Sequence, residues 1–263
     1  MPKIETYVQG TPSYVELVTP DQRASAQFYA DVFGWDISED PLPEEAGGGV
    51  YLMGRLQGDA VCGISPQMPG MEGHPAFWGV YLTVEDVDGA AAKVQAAGGD
   101  VEAGPFDVME LGRMAAIKDP TGARVNLWQP RATIGTERAN EPGAPIWNEL
   151  VSPDVDRALE FYRTVVGMGA EKMEMPDGSY TCLTDVEGRV VGGTMPPMAE
   201  QVPPHWNVYF NVVDADATAA RVQELGGQVV APNFDVPGVG RMGFFTDPQG
   251  GMFAIMQNPP SDD

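Results

Sequence analysis

This chain is short of positive charge. Its 263 residues carry 15 Lys and Arg against 38 Asp and Glu, a formal net charge of −23. Nucleic-acid binding needs a basic footprint, and this balance argues against one. The same excess would repel anionic membrane surfaces and tolerate cationic ligands, although solubility alone also accounts for it. Histidine is scarce: His74 and His205 are the two in the chain. A metal site built from several imidazoles is therefore hard to assemble. The two cysteines, Cys62 and Cys182, fall at non-equivalent places in the chain. They suggest no disulfide framework and fit a reducing compartment. The opening segment MPKIETYVQG lacks an apolar signal-peptide core, and no apolar run approaches the length of a membrane span. A cytoplasmic protein without nucleic-acid or membrane partners is expected. There is no Gly-x-Ser-x-Gly element, and neither cysteine has an obvious catalytic partner. The glycine runs at 47–49 and 192–193 do not join a strand to a helix, which argues against phosphate binding.

What the chain does have is a long internal repeat. SYVELVTPDQRASAQFYADVFGW (13–35) returns as IWNELVSPDVDRALEFYRTVVGM (146–168), pairing Glu16 with Glu149, Phe28-Tyr29 with Phe161-Tyr162 and Gly34 with Gly167 at a step of 133. Further on, Trp78 returns as Trp206, Tyr81 as Tyr209, Gly112-Arg113-Met114 as Gly240-Arg241-Met242, and Asp119-Pro120-x-Gly122 as Asp247-Pro248-x-Gly250, at a step of 128. A period this long is the size of a small domain, not of a solenoid unit. The reading is a first module at 1–130, a linker at 131–143 without clear periodicity, and a second module at 144–263. The change of step leaves five extra residues in the first module, most plausibly in Pro41–Gly49, as a lid or as a tolerated insertion.

Within a module, Val15 and Leu17 alternate against Tyr14, Glu16 and Val18, which marks a strand. Pro20-Asp21 ends it and caps a helix, in which Ala24, Phe28 and Val32 form an apolar stripe before Gly34 stops it. Strands are expected near 50–56, 60–64 and 78–84. A second helix opens at Asp86, and a hairpin runs over 113–117 and 124–128 across the Asp-Pro-x-Gly turn.

These motifs, taken together, resemble the glyoxalase, bleomycin-resistance and extradiol-dioxygenase superfamily, also called vicinal oxygen chelate. The likeness is greatest to two-module actinobacterial glyoxalase-like proteins, often labelled hydroxylase. The resemblance implies an α+β fold of tandem duplicated βαβββ modules, whose curved mixed sheets form clefts. It also implies metal-ligand positions: a His on the first strand, a second on the strand after the module's midpoint, and a Glu on the last strand. Here those positions hold Tyr14, Gly79 and Asn126 in the first module and Trp147, Asn207 and Ala254 in the second. Gly, Ala and Trp supply no suitable ligand, and a neutral amide is a weak one. No metal is therefore expected at the usual place, and no other cofactor is expected.

With the orientation that the resemblance implies, alternation places Tyr14, Glu16, Tyr81, Asn126 and Trp128 on one cleft face, with Phe77, Gly79 and Arg124 alongside. Trp147, Glu149, His205, Asn207 and Tyr209 line the other, with Met252, Ala254 and Met256. Aromatic walls with a few polar groups suit a small organic ligand. Glu16 and Glu149 are candidate general bases, or structural carboxylates bonded to Arg113 and Arg241, which read as salt-bridge residues at the module interface. His205 is a candidate acid–base group, or a packed and hydrogen-bonded side chain. His74 reads as solvent-facing. Glu149 with His205 is favoured for catalysis, because the first module has Phe77 where the second has His205. Two classes of function remain: a metal-independent isomerase, lyase or hydroxylase acting on a small aromatic or hydrophobic molecule, and a non-catalytic protein that sequesters a drug or metabolite. Metal-dependent glyoxalase or dioxygenase chemistry ranks third. A monomer and a homodimer both remain open.

Overall fold

The computed structural model describes residues 3–44, 48–175 and 178–259. The first module runs β1 (Pro12–Thr19), α1 (Gln22–Phe33), β2 (Asp36–Pro41), β3 (Val50–Leu56), β4 (Asp59–Pro66), β5 (Phe77–Thr83), α2 (Val87–Val94), β6 (Asp100–Val108), β7 (Gly112–Lys118) and β8 (Arg124–Pro130). The second repeats it as β9 (Pro145–Val151), α3 (Val155–Val166), β10 (Gly169–Met175), β11 (Gly178–Thr184), β12 (Val190–Met195), β13 (His205–Asn211), α4 (Ala215–Glu224), β14 (Gln228–Val236), β15 (Gly240–Thr246) and β16 (Met252–Gln257). Each module is thus a pair of βαβββ units. Their eight strands form one curled mixed sheet, ordered β2-β3-β4-β1-β5-β8-β7-β6 in the first module and equivalently in the second. The two units meet where β1 pairs antiparallel with β5, and β9 with β13.

The outer strands β2, β6, β10 and β14 escape a reading by alternation. They are edge strands, mostly exposed and rich in charge or turn residues, so no apolar face marks them. The helix signals hold better. Asp21 accepts a hydrogen bond from the Ala24 N–H, and Asp154 from that of Arg157. Gly34 and Gly167 end their helices in the left-handed region, at φ 76° and 78°. The buried residues of α1 are Ser25, Ala26, Phe28, Tyr29 and Phe33, while Ala24 is exposed. A partner on two sides selects this wider stripe. Pro41–Gly49 falls partly outside the described residues, at 45–47, and its flanks are tied by a 3.0 Å bond from the Leu42 N–H to the Gly49 carbonyl. Among the described residues, no helix is long and apolar enough to cross a membrane.

The main core belongs to both modules at once. Phe33 on α1 packs with its ring tilted at 4.7 Å against Phe210 of β13, and Tyr29 meets Phe253 of β16 at 5.3 Å. One relay explains why the helix motif and the turn motif recur together. The Trp78 indole donates to the Tyr29 hydroxyl at 3.0 Å, and Tyr29 donates to Asp247 of the other module at 3.0 Å. Reciprocally, Trp206 donates to Tyr162 at 3.0 Å, and Tyr162 donates to Asp119 at 3.1 Å. Each aspartate takes this phenol on one oxygen. With the other it accepts backbone N–H groups of its own Asp-Pro-x-Gly turn, from Gly122 at 2.9 Å and from Gly251 at 2.8 Å. The linker is also held. Thr136 N–H donates to the Ser13 carbonyl at 2.8 Å, and Trp128 Nε1 donates to the Thr133 carbonyl at 3.2 Å.

Tyr29→Phe leaves a buried carboxylate oxygen and a buried indole N–H without their partner. The expected loss is about 1–3 kcal/mol of unfolding free energy. Urea denaturation checks it, and a change smaller than about 0.5 kcal/mol, the range of neutral surface substitutions, would show that the relay does not hold the modules together.

Candidate functional site

Two equivalent carboxylate clusters lie on the curled sheets. In the first, Glu16 stands opposite Gly79 of β5 and Gly63 of β4. Its carboxylate accepts a short hydrogen bond from the Tyr81 hydroxyl. Tyr51 on β3 reaches over Gly63, and its hydroxyl lies 2.9 Å from that of Tyr14. In the second, Glu149 stands opposite Asn207 and Gly193. It accepts from Tyr180 at 2.6 Å and from Tyr209 at 2.7 Å, while the Trp147 indole donates to Tyr180 at 3.2 Å. The structure brings Glu16, Tyr14 and Tyr81 together, and Glu149, Trp147 and Tyr209 together, on the faces that alternation gave them. Reading by alternation does not reveal Tyr51, Tyr180, Gly63 or Gly193. Their signal is a second-order one: Tyr51 and Tyr180 also recur, and each faces a glycine where a Cβ would collide with the phenol.

The environments differ. Glu16 is half-buried, and desolvation raises its pKa above the ordinary carboxylate range, partly offset by hydrogen bonding from Tyr81, Tyr51 and Ser65. Burial, reinforced by the Glu16 charge, pushes the Tyr51 and Tyr81 phenols well up, so both remain donors. Glu149 is 5% exposed, with one phenol on each oxygen. Among the described residues, neither carboxylate is bonded to arginine. Arg113 pairs with Asp88 and Asp107, and Arg241 with Asp216 and Asp235, so these salt bridges lie within modules instead of at their interface.

His205 and Asn207 sit side by side on β13. The ring Nδ1 donates to the Pro203 carbonyl at 2.8 Å, and Nε2 lies 2.9 Å from the Asn207 amide oxygen. Asn207, not His205, is the residue opposite Glu149. His74 is exposed, as expected. Phe77 is 41% exposed, and Arg124 is exposed and paired with Glu102. Asn126 and Trp128 of β8 do face the first cleft: Asn126 pairs with Tyr81, and Trp128 meets the Tyr81 ring edge-on at 6.3 Å. The second cleft is packed by its own side chains, with Tyr209, Met242, Ala254 and Met256 buried together against Trp147, Phe234 and Phe244.

The metal positions implied by the family do not suit a metal in either cleft. The Tyr14 hydroxyl is bonded to Tyr51 and the Trp147 indole N–H to Tyr180, while Gly79 and Ala254 offer no donor atom. Among the described residues, no three of His, Cys, Asp and Glu gather as a metal-binding group.

The family model for the glyoxalase/bleomycin resistance protein/dioxygenase superfamily matches residues 11–127 and 146–255, and the chain belongs to that superfamily. It is 46% identical over 261 residues to a Mycobacterium tuberculosis protein named "Putative glyoxylase CFP32", covering 99% of each. It is 35% identical over 268 residues to the anthracycline biosynthesis protein DauV of Streptomyces sp. strain C5, covering 95% of this chain and 94% of that one. A manganese(II)-bound glyoxalase from Novosphingobium aromaticivorans shares the fold, with a TM-score of 0.62 at 19% identity over 95% of this chain and 82% of that one.

Gly63→Ala should drive Tyr51 off Glu16 and cost about 1–3 kcal/mol, the usual penalty of overpacking. Thermal denaturation and the tyrosine aromatic resonances report it, and an unchanged melting temperature with unchanged resonances would refute the close approach. Metal analysis of protein purified without a histidine tag should give far less than one zinc, iron, nickel or manganese per chain. Stoichiometric metal that is lost on substituting Tyr14 or Asn126 would overturn the donor-set reading.

Proposed function

We propose that the first-module cleft binds a small aromatic or hydrophobic organic molecule, and that Glu16 acts there as a metal-independent general base in an isomerase- or lyase-type proton transfer. The observation that carries this is the state of Glu16. It is a desolvated but half-accessible carboxylate, clamped by a phenol and set among Tyr14, Tyr81, Asn126 and Trp128. Desolvation raises basicity toward neutral pH, and the phenols fix the carboxylate's orientation. The weight moves here from Glu149 with His205, because both Glu149 oxygens are taken and the second cleft is filled. Two Streptomyces relatives are named for anthracycline biosynthesis, which favours an aromatic ligand. The second reading, sequestration without chemistry, is favoured by the net charge of −23, which attracts cationic compounds.

Aromatic compounds that raise the melting temperature are to be incubated with the protein in D₂O, and exchange or conversion followed by NMR. Glu16→Gln should lower that rate by roughly 10²–10⁴-fold, the usual worth of a general base. Because Glu16 acts as a base when ionised, the rate should rise with pH through its raised pKa and level off above it. The Gln variant should lose this limb. Tight binding with no exchange in either form supports sequestration. A rate unchanged by Glu16→Gln removes Glu16 from the chemistry.

A further inference from the structure

The chain leaves the last strand of each module differently. After β8 comes Arg131, whose guanidinium lies 2.9 Å from the Asp107 carboxylate. The Arg131 and Thr133 N–H groups donate to the Leu111 carbonyl at 3.0 and 3.2 Å. Asp107 also takes Arg113, which reaches Asp88 in the first turn of α2, so two carboxylates meet two guanidinium groups. The step of 128 maps Asp107, Leu111 and Arg113 onto Asp235, Val239 and Arg241, and Arg131 onto Pro259. Arg241 holds Asp235 at 3.1 Å and Asp216 of α4 at 2.9 Å. Here two carboxylates meet one guanidinium among the described residues. Pro259 brings neither a cation nor an N–H. Among the described residues, no loop or turn N–H donates to the Val239 carbonyl. At this place lies a cavity of about 280 Å³, lined by Asp235, Gly238, Arg241, Gln257 and Pro259 among others. Arg241 and Gln257 both reach the start of α4, so the cavity belongs to the helix-bearing side of the sheet, not to the cleft of Glu149.

From this pairing we infer that the cavity where β15 begins and β16 ends is a docking site for an arginine carried on an extended peptide segment of a partner protein. The first module shows the same site occupied, by the chain's own linker. In the second, the incoming guanidinium takes the place of Arg131 against Asp235 and restores the balance of charge. The N–H groups of the arginine and of the residue two further on donate to the Val239 carbonyl, as Arg131 and Thr133 donate to Leu111. A carboxylate accepts the planar fork of a guanidinium better than the point charge of an ammonium. The net charge of −23 draws a basic segment toward this surface. The site is independent of what either cleft binds.

The probe is the peptide acetyl-Arg-Ala-Thr-amide, which copies residues 131–133, with acetyl-Ala-Ala-Thr-amide as the analogue lacking the cation. Binding is followed by the backbone amide resonances of the whole protein during titration. The arginine peptide should shift amides in 235–241 and at Gln257 and Asn258, and saturate. The alanine peptide should bind about threefold or more weakly, the range of an exposed ion pair. Asp235→Asn should weaken the arginine peptide by a similar factor, while Asp107→Asn, at the site already filled, leaves its affinity unchanged. Pro259→Arg should supply the missing guanidinium and N–H from the chain itself and also weaken the peptide about threefold or more. Both Asp235 and Pro259 are exposed, and unchanged melting temperatures verify that the variants fold. Shifts scattered over the acidic surface without saturation overturn the site, as does a lack of any shift at millimolar peptide. Wild-type affinity in Asp235→Asn overturns it as well, and wild-type affinity in Pro259→Arg overturns the correspondence with Arg131 on which it stands.

Discussion

The Tyr–Asp hydrogen bond across the module interface is the contact on which the architecture turns. Each Asp-Pro-x-Gly turn ties its own backbone with one aspartate oxygen and receives a tyrosine of the other module's helix with the second. The tyrosine is in turn held by a tryptophan of its own sheet. Buried polar groups tolerate no missing partner, so helix, sheet and opposite turn are positioned together. The surrounding aromatic cluster, Phe33 and Tyr29 with Phe210 and Phe253, adds apolar contact across the same interface. The modules therefore share their main core instead of owning separate ones.

Fixing the helix-side faces of the sheets in this way leaves the opposite faces free to differ. Both carry the same cradle, a glutamate held by phenols that cross a glycine. Around it the two modules have diverged in volume more than in chemistry. The second has Phe244 and Asn207 where the first has Ala116 and Gly79, and the first has Trp128 and Asn126 where the second has Met256 and Ala254. In the first, the Glu16 carboxylate is desolvated yet partly accessible. The family's metal positions have likewise been turned to other uses, since Tyr14 and Trp147 spend their polar atoms on neighbouring phenols.

Much of this was written in the chain. The step of 133 and then 128 residues defines two modules. Alternation along 13–19 and 146–151 separates core residues such as Val15 and Leu17 from cleft residues such as Tyr14 and Glu16, because side-chain direction in a strand has period two. Asp21 and Gly34 bound a helix through local capping chemistry that needs no tertiary partner. These features are local, or repeat in sequence, and a sequence displays both. Edge strands such as β6 were illegible, because with little buried face they carry no apolar period. Residues joined over long separations were hidden for a different reason. Tyr51 meets Tyr14, and Tyr29 meets Asp247, only after the sheets curl and the modules dock, and spacing along the chain does not encode distance in space. How far each carboxylate is covered depends on packed neighbours. Sequence alone pointed to the second cleft through His205; the fold placed Asn207 opposite Glu149 and a ring over Ala254, and left Glu16 half-buried.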